Sequence, residues 1–158
     1  MLSLEKELYK IAKVRLRNDD DIYDAIQETT IKAFKFVKKL KQNQYFRTWI
    51  IKILINESNN IYKRKNKRKI LSFEDLENNK DILYSNIDNV EKTLDFNFIC
   101  NKLKYEDRII IILYYMEKFT DKEIGKILSL KENTIKTKRT RAKQKIKKIL
   151  DLGGNGNG

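Results

Sequence analysis

Apolar side chains recur at spacings of three and four along most of this chain, and the pattern lapses once for long enough to divide it. Ile22, Ile26, Thr29, Ala33, Phe36 or Val37, and Leu40 form one stripe, the signature of a helix with a single buried face. Asn18 and the acidic run Asp19, Asp20 and Asp21 stand where a cap and a favourable dipole charge belong. A shorter amphipathic helix precedes it (Leu4, Leu8, Ile11, Ala12), and after the polar break "KQNQ" a third is predicted over residues 46–63, with Trp49, Ile50, Ile53 and Leu54 turned inward. Residues 71–98, "LSFEDLENNKDILYSNIDNVEKTLDFNF", show scattered apolar positions without sustained period and are expected to be a linker with one short helical turn. Beyond them a strongly apolar helix is predicted over residues 96–116. Then "FTDKEIGKILSLKENTIKTKRTRAKQKIKKIL" begins with a capping box, Thr120 and Glu123. Its stripe of Ile124, Ile127 and Leu128, the small Gly125, the short "SLK" turn and a second helix from about Asn133 or Thr134 describe a helix-turn-helix. The expected fold is all-α: two small helical domains, residues 1–70 and 99–152, joined by an acidic linker at 71–98. "GGNGNG" at 153–158 reads as a flexible tail or tag and is left out of the fold.

Charge sharpens this division. The formal net charge is +13 and the pI about 9.7, which favours a polyanionic partner, nucleic acid before anionic membrane. The first lobe is net +10, the linker −5 and the second lobe +8. Abundant lysine, asparagine and isoleucine with no proline is the pattern an A/T-rich genome imposes. Arginine runs against that bias, so Arg47, Arg64, Arg68, Arg108, Arg139 and Arg141 are the more informative cations. With no histidine and one cysteine, imidazole acid–base chemistry, most zinc sites and an internal disulfide are excluded, and a reducing, cytoplasmic setting is expected. No metal or other cofactor is expected. The longest apolar run, Ile109 to Met116, is far short of the roughly 20 residues of a membrane span, so no membrane insertion is expected.

The second helix of a helix-turn-helix enters the major groove, where early residues meet base edges and cations meet phosphates. Lys136, Thr137, Lys138, Arg139, Thr140 and Arg141 occupy that outward stretch, while Ile135, Ala142, Ile146 and Ile149 continue the inward stripe. A solvated lysine-rich helix is the bland reading, and paired arginines behind a capped helix weigh against it. A membrane-surface helix would need the inward stripe free for lipid. The first lobe has its own patch, "YKRKNKRK" at 62–69, with Tyr45, Phe46, Trp49 and Tyr62 as aromatics. Rings beside cations suit single-stranded nucleic acid; Trp49 is better read as core, and Tyr45, in the polar break, as the stacking candidate.

Three stretches resemble the extracytoplasmic-function group of bacterial sigma factors in the sigma-70 family: "DDDIYDAIQETTIKAF", "YFRTWIIKILINESNNIYKRKNKR" and "LKYEDRIIIILYYMEKFTDKEIGKILSLKENTIKTKRTRAKQKI". They fall in the family's order and cover most of the chain. The resemblance implies that Asp24, Gln27 and Glu28 dock region two on the clamp helices of the largest polymerase subunit, and that region four reaches the flap of the second-largest. It implies that residues 40–45, with Tyr45, capture a flipped base of the minus-ten element, beside Asn56 and Asn60, with Lys52, Lys63 and Arg64 as backbone contacts; unstacking a base costs a few kcal/mol, which such a pocket must offset. It implies that Lys136, Thr137, Lys138, Thr140 and Arg141 read the minus-thirty-five element, that the acidic linker threads a basic polymerase channel, and that an anti-sigma factor, in the family often membrane-anchored, holds the protein inactive. Arg139 stands where the family has an inward apolar residue; it either snorkels to the surface or the helix packs differently. The residues before Asp19 look shorter than the family's first helix.

On this reading the protein is not an enzyme but directs core RNA polymerase to promoter DNA, two weak DNA contacts reinforcing each other through one chain and one polymerase. Two alternatives come from other classes. A stand-alone helix-turn-helix regulator would bind duplex tightly without polymerase. A nuclease would need magnesium on Asp19 to Asp21, and successive residues at a helix start point different ways.

Overall fold

A computed structural model describes residues 2–71 and 98–154. The linker and its helical turn therefore lie outside the described residues except at their edges, as does the tail beyond residue 154. The described residues contain no strand. The first lobe is α1 (Leu2–Lys13), α2 (Asp19–Phe36) and α3 (Phe46–Leu71); the second is α4 (Tyr105–Ile111), a π-helical turn (Ile112–Met116), α5 (Asp121–Leu128) and α6 (Glu132–Gly154).

The start of α2 follows from its sequence. Asn18 is extended and its side chain accepts the Asp20 N–H at 2.8 Å, so one of the orphan amides is satisfied and three carboxylates sit at the positive end of the helix. Two of these acids also tie elements together: Asp19 accepts the Tyr9 hydroxyl at 2.7 Å, and Asp21 pairs with Lys65 of α3. Along the stripe Ile22, Ala25, Thr29 and Ala33 are buried. Thr29 is tolerated there because its hydroxyl donates to the Ala25 carbonyl at 2.6 Å.

Helix α3 runs well past the predicted residue 63, so the basic run at 62–69 is helix interior. Ile50, Ile51, Leu54 and Ile55 are its buried face, whereas Trp49 and Ile53 are only half-buried. The predicted continuous helix over 96–116 is interrupted. Residues 98–101 are helical, a turn follows, and α4 starts anew behind an extended Lys104. Its first turn holds Glu106 and Asp107, acids at a positive helix end, a start signal hidden inside an apolar pattern. Ile109 to Leu113 are all buried, as a segment apolar on every side must be.

The helix-turn-helix has the predicted parts. Thr120 accepts the Glu123 N–H at 3.2 Å and Glu123 accepts the Thr120 N–H at 2.7 Å. Ser129 closes α5 in the left-handed region, φ 56°. A β-carbon on Gly125 would stand 2.7 Å from the Leu130 carbonyl oxygen, closer than packed atoms approach, so the turn can fold back only over a glycine. Helix α6 begins at Glu132, slightly earlier than expected, and includes Gly153 and Gly154 of the stretch set aside as tail.

The lobes do not stand apart. One apolar cluster runs from Leu8, Ile11, Ile51 and Leu54 into Ile109, Ile110, Leu113, Phe119, Ile124 and Ile135, and α5 packs directly on α3.

Candidate nucleic-acid and polymerase interfaces

On α6, Lys136, Thr137, Thr140 and Arg141 are exposed, while Lys138 is half-buried. Both threonine hydroxyls are engaged: Thr137 donates to the Asn133 carbonyl at 3.0 Å and Thr140 to that of Lys136 at 2.9 Å. Their protons are spent on the helix, which leaves a methyl group and an acceptor lone pair for any ligand. Arg139 follows neither course expected of it. Its guanidinium donates to both carboxylate oxygens of Asp121, each at 2.9 Å, and stacks on the Tyr114 ring with 4.0 Å to the centroid. The pair is largely buried, with side-chain exposures of 17% and 9%. The hydrogen bonds from Arg139 hold the Asp121 carboxyl below the ordinary carboxylate range, and the same bonds raise Arg139. A two-pronged bond to the first residue of α5 fixes the angle between the two helices of the motif. The Arg139 guanidinium is thus engaged within the motif, unlike the exposed Lys136 and Arg141 on the same helix. Lys145 adds a second tie, to Asp107 of α4 at 2.7 Å.

In the first lobe, Asn56, Asn60, Lys63 and Arg64 are exposed and line two adjoining grooves between α2 and α3. One, about 560 Å³, is walled by Phe36, Trp49, Ile53, Asn56 and Asn60, with the Lys32–Glu57 ion pair beside them. The other, about 510 Å³, carries Glu28, Asn60, Lys63, Arg64 and Lys67. Amides beside rings, bordered by cations, can pair with the edge of an unstacked base and cover its face. Trp49, read from the sequence as core, is a groove wall, and so is Phe36, read as an alternative to Val37 in the buried stripe. Their signal was weak, since a half-buried aromatic at helical spacing looks like core.

Tyr45 and Lys52 are not in these grooves. Tyr45 is 45% exposed, and the Lys126 ammonium of α5 lies 4.8 Å from its ring centroid. Lys52, half-buried, borders a separate cavity of about 510 Å³ formed with Lys122, Gly125, Lys126 and the turn leading into α6. The structure therefore assembles four of the six minus-ten candidates and places the other two against the second lobe.

Asp24, Gln27 and Glu28 are all exposed on α2. Beside them stand two residues the sequence reading passed over, Ile31 at 52% and Phe34 at 81% exposure. They fall seven positions after Asp24 and Gln27 respectively, so they share that outer face. An apolar centre with a polar rim is the ordinary anatomy of a protein interface. The signal lay in the spacing, masked because Phe34 adjoins the buried Ala33.

Comparison with known proteins accounts for both lobes. Residues 2–69 match Sigma-70 region 2 and residues 99–146 match Sigma-70, region 4. The chain is similar to the RNA polymerase sigma factor SigV of Bacillus subtilis, 27% identical over 87% of this chain and 81% of the relative. It is also similar to the ECF RNA polymerase sigma factor SigW of the same organism, 28% identical over 91% and 83%. Among solved structures, the sigma factor RpoE in complex with the anti-sigma factor NepR from Bartonella quintana superposes with a TM-score of 0.77 at 22% identity, covering 96% of this chain and 94% of that one. CnrH in complex with the cytosolic domain of CnrY superposes with a TM-score of 0.64 at 18% identity, covering 92% and 80%. Two sigma regions in family order, on a fold shared across both lobes, establish that the chain belongs to the extracytoplasmic-function sigma factors of the sigma-70 family, alternative factors for promoter-specific transcription initiation.

Proposed function

We propose the following division of labour. The α2 face of Asp24, Gln27 and Glu28, centred on Ile31 and Phe34, docks on the clamp helices of core RNA polymerase, and the second lobe reaches the flap. The α2–α3 groove takes an unstacked minus-ten base, with Asn56 and Asn60 on its edge, Trp49 and Phe36 at its face, and Lys63 and Arg64 on the backbone. Tyr45 and Lys52 join this surface once the second lobe moves away. Lys136 and Arg141, with the methyl groups of Thr137 and Thr140 and the stem of Lys138, meet the minus-thirty-five element. The chain performs no catalysis of its own; polymerase supplies the chemistry. An anti-sigma factor is its regulator, a reading supported by the solved relative that is bound to one.

The observation that carries this reading is the amide-and-ring groove in a lobe separate from the helix-turn-helix. A stand-alone operator reader needs the second lobe alone. The test is a melted-promoter assay: permanganate reactivity of minus-ten thymines with polymerase and this protein. Asn56→Ala with Asn60→Ala should abolish melting while the holoenzyme still assembles. Melting that survives the double substitution overturns the groove assignment.

A further inference from the structure

Helix α6 is tied to the rest of the second lobe by two ion pairs that differ in kind. Lys145 reaches Asp107 through one ammonium bond at 2.7 Å, with about half of the lysine side chain in solvent. An ammonium is a point charge that pivots, and a pair exposed on one side holds weakly. Arg139 is held far more tightly. Its Nε and Nη2 each donate at 2.9 Å to a separate oxygen of Asp121, the first residue of α5, in a pair with side-chain exposures of 17% and 9%. Its guanidinium carbon lies 4.0 Å from the ring centroid of Tyr114, which the π-helical turn presents. A planar fork with both prongs bonded and one face stacked can neither pivot nor slide. The other contacts on this side of α6 come from Ile135, Ala142 and Ile146. Apolar burial is non-directional, so these set how closely the helix packs but only loosely its rotation about its own axis.

That rotation decides what the outer face presents. At about 100° per residue, the positions two before and two after Arg139 are turned about 160° away from it. They are Thr137 and Arg141, both exposed, with the exposed Lys136 and Thr140 beside them. We propose that Arg139 is a positioning residue for base reading: its fork on Asp121 and its stack on Tyr114 fix the rotation of α6, so that Lys136, Thr137, Thr140 and Arg141 meet base edges in one register. This rests on the minus-thirty-five role of α6. A turn of about 20° carries a side-chain tip roughly 6 Å from the axis about 2 Å sideways, and a hydrogen bond to a base tolerates only about 0.5 Å. Attraction to phosphates falls off over about 8 Å and survives such a shift. Loosening the fork therefore costs discrimination between bases first, at every position the face reads.

The experiment uses the full chain with core RNA polymerase at a promoter where the protein directs a discrete start. Each upstream base pair is substituted in turn, and the ratio of transcript from the original template to that from the substituted one gives the preference at that position. Arg139→Lys keeps the charge and removes the fork. Asp121→Asn removes the fork from the other side, at a residue buried at the start of α5. At temperatures where circular dichroism shows them folded, both variants should lose about tenfold of the parent protein's preference at several adjacent base pairs together, the size of one well-made base contact. The two should agree because Asp121 acts on the outer face only through Arg139, and Asp121→Asn carries the same reading should Arg139→Lys fail to fold. Relaxation at a single base pair in Arg139→Lys, with Asp121→Asn unaffected, would show Arg139 reading a base itself and overturns the proposal. Unchanged preferences with a lowered melting temperature overturn it as well, leaving the pair a stabilising one. A parent protein indifferent to every upstream substitution refutes the minus-thirty-five role of α6 itself, and the proposal falls with it.

Discussion

Residue roles in this chain are set by what each charge is paired with. Arg139 and Arg141 are two positions apart in one basic run, yet Arg141 is exposed and Arg139 is spent on Asp121 and Tyr114. Removing one member of a largely buried pair strands the other, so Arg139→Ala should cost about 3 kcal/mol of stability in the second lobe. Arg141→Ala should cost almost nothing in stability and weaken promoter use; urea unfolding and transcription measure the two. The Asp121 carboxyl, lowered chiefly by its hydrogen bonds from Arg139 and further by nearby Lys136, works in the depressed-acid direction. Its contribution is fully present above the ordinary carboxylate value and is lost as pH falls through its lowered one. Unfolding followed as a function of pH should show this acid loss for the parent and a smaller one for Asp121→Asn. An equal loss in both would contradict the assignment.

At the scale of elements, the caps and stripes were legible in the sequence because they are local. Asn18, the Thr120–Glu123 box and the short turn at 129–131 need only their own neighbours, and each formed as read. Element ends that depend on distant packing were not legible. Helix α3 continues through a run of six cations that isolated helix physics would not favour, with Lys65 offset by Asp21 of α2. The break before α4 was hidden because Ile-rich residues on both sides shared one apolar pattern. The site divides in the same way. Asp24, Gln27 and Glu28 and the cations of α6 are visible as exposed periodic positions, whereas Ile31, Phe34, Trp49 and Phe36 could not be separated from core without knowing which neighbours cover them. Phe34, at 81% exposure, gives the clearest prediction of this scale. Phe34→Ala should leave the melting temperature unchanged within error and weaken core-polymerase binding by about 1–2 kcal/mol, read by titration against labelled polymerase. Loss of stability instead would show that the ring belongs to the fold.

At the scale of the whole molecule, two basic lobes share one apolar cluster across a seam clasped by arginines, where the sequence had suggested two bodies linked by an acidic tether. Long-range contacts such as Arg47 to Glu117 and Arg108 to Val14 leave no periodic trace, which is why the closed arrangement was not anticipated. The seam also holds a titrating group. Burial raises the Glu117 carboxyl first, and Glu7 raises it further against the pull of Lys10 and Arg47. Its contribution to stability is full below the ordinary carboxylate value and is lost as pH rises through the raised one. The central claim is that this chain gives core RNA polymerase a promoter it cannot otherwise use. Its most direct measurement is transcription in vitro on genomic DNA fragments with purified core polymerase, with and without the protein, followed by mapping of the 5′ ends. The account predicts discrete start sites that appear only with both components, and that vanish with Asp24→Lys and Gln27→Lys in a chain of unchanged helicity. Start sites indifferent to the protein, together with firm duplex binding by the protein alone, would contradict it.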